Sequence, residues 1–332
     1  MALISFFSAK GAPGVTSTAM LVAALWPRPT LLVDADGNGG DLLMRLPSES
    51  GLALTQHPGL LTLLPLARHG LSSGVVLDHS QVALGGQQVL VGLETSEQAE
   101  ASAALWPTLA RAFREVPGTD VVVDAGQLAA RSGQLSLVQR SDLVVGVVRA
   151  EPASVMHMRE RLTVLTQTFA ALGPDAPRIG LVALSGVQRQ DEASSAIATV
   201  RADFPDVLDL GQVALDPRPE RMFHGDPVSR PERTMLVRSG RSLVERLVAA
   251  LGPAVVPVAA TGEGADEDAR SGETTDQPAA PGTATEQEEA ADGIPGGEPA
   301  EAAGAVDEQQ DAAQGERRLR RERPRKKRWS LR

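Results

Sequence analysis

Apolar and polar positions along the first 252 residues fall into short apolar blocks separated by longer amphipathic stretches. Ala2–Phe7, Thr30–Val33, Gln88–Leu93, Asp120–Asp124, Leu143–Val148, Ile179–Leu184 and Val207–Val213 are runs of strand length, rich in Val, Leu and Ile. Continuous apolar runs, as opposed to alternating ones, predict strands covered on both faces. Between them, helical patterns are expected from Thr16 to Leu25, ended by Pro27, and over Leu60–Ala67 despite Pro65. Further helices are expected over Ser96–Glu115, Ala153–Leu172, Gln190–Phe204 and Met235–Leu251. Strands alternating with crossover helices predict an α/β fold, a mostly parallel sheet with helices on both faces. Ligands of such sheets bind outside the carboxyl ends of the strands, so the residues just after each strand carry the functional question.

Beyond Gly252 the pattern stops. Residues 253–315 are rich in Ala, Gly, Glu, Asp, Pro and Thr, with fifteen acidic residues against the lone Arg270. A segment of this kind buries too little apolar surface to offset its chain entropy, and it reads as a disordered acidic linker. Residues 316–332 form a basic tail with a net charge of +8, including Arg325-Lys326-Lys327-Arg328-Trp329. The chain's net charge of −10 is therefore uneven, with −14 on the linker and −4 on residues 1–252. Such a tail could engage anionic membrane or nucleic acid through phosphates, or simply stay solvated. The absence of cysteine excludes disulfides and thiolate metal sites, and no apolar run reaches membrane-spanning length. The expectation is a cytoplasmic protein, peripheral at the inner face of a membrane if the tail binds lipid. The five histidines lack metal-ligand spacing, and Trp26 and Trp106 read as core residues.

Three strand ends carry chemistry. After the first strand, Ala9-Lys10-Gly11-Ala12-Pro13-Gly14-Val15-Thr16-Ser17 is a small-residue loop opening a helix, where backbone N–H groups can wrap a phosphate. Thr16 stands where a P-loop places its Mg²⁺-binding hydroxyl. After the second strand come Asp34 and Asp36; after the central one, Asp124-Ala125-Gly126 pairs a carboxylate with a glycine N–H. Singly, each reads as easily as a turn or a helix cap. In sequence, at successive strand ends, they favour a nucleotide site.

These residues resemble the MinD/ParA family of P-loop ATPases over roughly residues 1–251. Lys10 to Ser17 aligns without a gap with the family's Lys-Gly-Gly-x-Gly-Lys-Thr-Thr/Ser loop. The resemblance implies ATP and Mg²⁺ as ligands, with Lys10 crossing a dimer interface to the partner's nucleotide. It implies that Asp36 positions the attacking water and that Thr16 and Asp124 hold Mg²⁺, with Gly126 in the second switch. Glu151-Pro152 is similar to the turn beside the nucleoside, Ser185 stands where the family has an adenine-reading Asn, and Asp216-Pro217 is similar to a closing turn. Within the family, the loop and basic tail most resemble CpaE-like proteins of actinobacteria, associated with Tad-type pilus and secretion ATPases. The chief departure is Val15, at the position of the P-loop lysine, which leaves hydrolysis weak or absent. The readings are an ATP-dependent dimeric switch in positioning or assembly of a cellular machine, or a scaffold that keeps the fold without nucleotide.

Overall fold

The computed structural model describes residues 1–11, 14–186 and 190–252. The acidic linker and basic tail lie outside the described residues, as do Ala12 and Pro13 of the loop.

Eight strands form one sheet. In chain order they are β1 (Leu3–Ser8), β2 (Thr30–Asp34), β3 (Gln81–Ala83), β4 (Gln87–Leu90), β5 (Asp120–Gln127), β6 (Leu143–Arg149), β7 (Arg178–Gly186) and β8 (Leu208–Leu215). Their spatial order is β3-β4-β2-β5-β1-β6-β7-β8, parallel throughout except for the β3–β4 pair at one edge. The helices are α1 (Val15–Leu25), α2 (Leu42–Arg45), α3 (Leu60–Ala67), α4 (Ser73–Asp78), α5 (Ser96–Ala101), α6 (Trp106–Arg114) and α7 (Leu135–Val138). They continue with α8 (Pro152–Ala170), α9 (Gln190–Arg201), α10 (Pro217–Glu220) and α11 (Met235–Leu251).

The strand residues divide by parity between two cores. Leu3, Phe7, Leu31, Val33, Val121 and Val123 pack with α3, α4, α6, α8 and α9. Ile4, Phe6, Leu32, Val122 and Val145 pack with α1 and α11 on the opposite face. Because successive side chains point to opposite faces, a strand covered on both sides must be apolar at every position, which is the pattern the sequence displays. Burial at Val155, Met158, Leu162, Leu165 and Phe169 gives α8 a single apolar stripe with helical spacing. Trp26 and Trp106 are both core residues.

One expected helix is divided. Residues 96–115 form α5, a 3₁₀ turn at Ala103–Leu105, and then α6. Pro107 sits in the first turn of α6, where its missing N–H is not needed; inside a continuous helix it would interrupt the hydrogen-bond ladder. Gln88–Leu93 pairs as a strand only to Leu90, because the Val91 carbonyl accepts instead from the Leu60 N–H that opens α3.

Candidate functional site

The carboxyl ends of β1, β2 and β5 meet, and the small-residue loop leads from the first of them into α1. Gly11 and Gly14 have φ of 72° and 77°, a left-handed conformation that favours glycine. Ala9, just before the loop, is not at positive φ. A Cβ on Gly14 would stand 2.8 Å from Leu184 Cδ1, so the loop's exit is seated against the end of β7. Space around Gly11 is open within 4 Å, and Ser8 Oγ, buried beneath the loop's entry, has no hydrogen-bond partner among the described residues. The structure thus offers room and an unsatisfied polar group where a ligand's phosphates would lie.

Val15 points inward. It is 1% exposed and packs in the core beneath α1, so the position offers no charge to the loop. Lys10 is exposed. The first polar side chain of the helix is Thr16, whose hydroxyl lies on the Asp124 side of the loop and favours the ionised form of that carboxyl. Asp124 also accepts from the Gly126 N–H at 2.9 Å. The hydroxyl and carboxylate are hard oxygen donors of the kind Mg²⁺ uses, and they belong to the same corner. The residues present fit the cation.

Three carboxylates crowd this corner. Asp34 and Asp124 are register partners on adjacent parallel strands, each 1% exposed. Burial pushes the Asp124 carboxyl up to about 6, with Thr16, the Gly126 hydrogen bond and Arg45 opposing and Asp36 adding to the rise. Asp34 is raised well above the ordinary carboxylate range by burial and then by Asp124, against its hydrogen bonds from the Leu42 and Asp36 N–H groups. A Cβ on Gly40 would lie 2.2 Å from Asp34 Oδ2, and one on Gly92 2.8 Å from its Cγ. Glycine at both positions makes the room this carboxyl occupies. Asp36, half-buried, is raised by burial while Asn38 donates to it from backbone and side chain. Its carboxylate covers Gly126, where a Cβ would come within 2.1 Å. Any side chain at 126 would push Asp36 away from the second strand end.

The structure therefore brings together Thr16, Asp34, Asp36, Asp124 and Gly126, together with Ser17 on the next position of α1. Glu151 caps α8, next to Pro152 at that helix's start; it is exposed and lies 3.6 Å from Arg149 Nη1. Ser185 is buried near the end of β7, and the Asp216 carboxylate accepts from the Arg218 N–H as Pro217 opens α10. These five share the strands' carboxyl edge but make no hydrogen bond to the loop among the described residues. The sequence reading left Arg45 and Glu220 out altogether. Both reach Ser17: Arg45 Nη2 donates to Ser17 Oγ at 2.8 Å and pairs with Glu220 Oε1 at 2.9 Å, and Ser17 Oγ donates to Glu220. Neither residue stands in a motif, so no local signal marks them.

Solved structures share this architecture. An ATP complex of a McdA variant from Cyanothece superposes with a TM-score of 0.56 at 16% identity, covering 76% of this chain and 96% of that one. MinD from Pyrococcus horikoshii OT3, complexed with Mg-ADP, gives 0.55 at 17% identity, covering 76% and 96%. The fold is that of the MinD/ParA P-loop ATPases. Cobyrinic acid a,c-diamide synthase from Mycobacterium smegmatis has a TM-score of 0.53 at 17% identity, with 76% and 96% coverage. One fold thus carries positioning proteins and a synthase alike, and the site must decide between functions. No family model matches the sequence, and neither does any curated protein. Among the described residues no helix is long and apolar enough to cross a membrane.

Proposed function

We propose that this chain is a MinD/ParA-like nucleotide-binding switch that holds Mg·ATP at the loop after β1 and turns it over slowly or not at all. The observation that carries the reading is the buried Asp124–Gly126 hydrogen bond beside Thr16 and a left-handed glycine loop, with Asp36 laid over Gly126. Bound Mg²⁺ would neutralise phosphate charge; Thr16 and Asp124 would hold it. Loop N–H groups from Lys10 to Ser17 would bind the phosphates, and Gly126 would offer an N–H only after releasing Asp124. Asp36 would orient a water. Glu151, Pro152, Ser185, Asp216 and Pro217 would form the nucleoside end of the same strand edge. Lys10, free to extend, would act across a homodimer.

Slow turnover follows from Val15. A hydrogen bond to a charged group contributes about 1.5–3 kcal/mol. Its absence weakens nucleotide binding by roughly ten- to a hundred-fold, which leaves room for binding at cellular concentrations. Charge developing on the transferred phosphoryl group loses the same partner, so hydrolysis suffers more. A switch of this kind suits positioning or assembly of a cellular machine: a Tad-type pilus or secretion apparatus working with its ATPase, a septum, or a chromosome partition complex.

The burial of Val15 favours a second reading, a scaffold that keeps the fold without nucleotide. Calorimetric titration with Mg·ATP, paired with sedimentation of wild type and Lys10→Ala, separates the two. The switch requires saturable binding and an ATP-dependent dimer that Lys10→Ala loses. No binding at millimolar ATP leaves the scaffold.

Residues 253–315 and 316–332 complete the proposal as an acidic tether and a basic hook. Deleting residues 316–332 is expected to abolish weak binding to anionic vesicles or DNA without changing nucleotide affinity. That binding should fall steeply with salt, since the Debye length shortens from about 10 Å at 0.1 M to about 3 Å at 1 M. Equal co-sedimentation of intact and truncated protein would make the tail a solvated terminus.

A further inference from the structure

The proposed phosphate site is short of positive charge. Three carboxylates converge there, Val15 is turned into the core, and Lys10 is exposed with its role assigned across a dimer. A polyanion entering such a corner needs a cation from the same chain as well as the Mg²⁺ it brings.

Arg45 is placed to supply it. It is the last residue of α2, and the chain between β2 and α2 carries Asp36 over the site. Its guanidinium donates to Ser17, the residue after Thr16 on the first turn of α1. The Arg45 side chain is 21% exposed and its partner Glu220 28%, so the pair is shielded but not sealed. Glu220 closes the short helix α10, in the turn proposed to close over the nucleoside.

We propose that Arg45 is the cation that neutralises the bound polyphosphate, delivered from the end of α2 in place of the missing loop lysine, and that Glu220 competes for it when no ligand is present. The inference rests on the nucleotide reading given above. Its chemistry follows from the group. A guanidinium is always charged and presents several N–H donors in a fixed plane, so it can exchange a carboxylate for phosphate oxygens without losing hydrogen bonds. The competing assignment is a strut, in which Arg45 and Glu220 only tie α2 and α10 to α1.

The two assignments differ in sign. Mg·ATP affinity is measured by calorimetry for wild type, Arg45→Gln, Arg45→Lys and Glu220→Gln, together with the urea midpoint of each ligand-free protein. Arg45→Gln keeps hydrogen-bonding capacity and removes the charge; it is expected to weaken binding tenfold or more, with Arg45→Lys recovering part of the loss. Glu220→Gln removes the competitor and is expected to tighten binding severalfold. A strut predicts instead that both neutral variants weaken binding alike, following a common drop in the urea midpoint. Wild-type affinity in Arg45→Gln, or weakened binding in Glu220→Gln, overturns the proposal while leaving the nucleotide site intact. Should Arg45→Gln fail to fold, the sign of the Glu220→Gln change decides alone. A wild type that binds no Mg·ATP overturns both the nucleotide reading and this one.

Discussion

Asp120 and Asp124 stand four residues apart on β5, each 1% exposed, in opposite surroundings. At the amino end of the strand, Asp120 accepts from the Ala2 N–H at 2.7 Å, Trp26 Nε1 at 2.7 Å and Arg28 Nε at 2.8 Å, with Arg28 Nη2 on its other oxygen. At the carboxyl end, Asp124 accepts from the Gly126 N–H and has Asp34 and Asp36 for neighbours. Among the described residues no lysine or arginine hydrogen-bonds to it. A buried carboxylate with its own guanidinium is a structural joint, whereas buried carboxylates gathered without one store an unmet demand for a cation. The difference separates an end of the sheet whose buried charge is paired from the end where a nucleotide is proposed to bind.

The largest expected effect is at the structural end. Asp120→Ala removes the acceptor shared by Arg28, Trp26 Nε1 and the Ala2 N–H, and is expected to cost about 3–5 kcal/mol in urea unfolding. If it costs no more than Asp124→Ala, the contrast between the two ends collapses.

The next effect is electrostatic. Asp124 has its folded pKa pushed up to about 6, so the native state holds its proton more tightly than the unfolded chain does. Its contribution is fully present below the unfolded carboxylate value of about 4 and is lost as pH rises through about 6. That loss is on the order of 3 kcal/mol, and Asp34 acts in the same sense. Without metal, the stability of wild type relative to Asp124→Asn is therefore expected to decline between about pH 4 and about pH 6. A difference that is flat with pH, from unfolding curves in chelator, would remove the argument that this corner awaits a cation.

The smallest concerns the loop. Val15→Lys is expected to tighten Mg·ATP binding by about 1.5–3 kcal/mol, while lowering ligand-free stability because residue 15 leaves a core position. Identical calorimetric affinities would show that the loop does not face phosphate.

The strand runs, the helix openings near Val15, Leu60 and Met235, and the carboxylates at strand ends were legible because each is written in adjacent residues. Covering a strand on both faces demands an unbroken apolar run, and turning out of it into a helix demands small or polar residues at once. Less was legible where a short segment borrows its structure from distant ones. The edge strand β3 has three residues, paired with β4 and bridged by Ser48, too short to produce a pattern of its own. The break between α5 and α6 was written at Pro107, but a helical apolar period on either side of it concealed the stop.

The sequence by itself determined a doubly covered, mostly parallel sheet, a glycine loop at its first strand end, and a valine at position 15 where that loop opens a helix. Tertiary structure alone decided what those features amount to. It turned Val15 into the core, set Asp34 beside Asp124 in register, and let Asp36 cover Gly126. It also brought Arg45 and Glu220, 175 positions apart, onto one serine of α1. The physical reason is range. Burial patterns and turn chemistry act between neighbours in the chain, whereas the charge around a carboxylate is set by whatever the fold carries within a few ångströms of it, from any distance along the sequence.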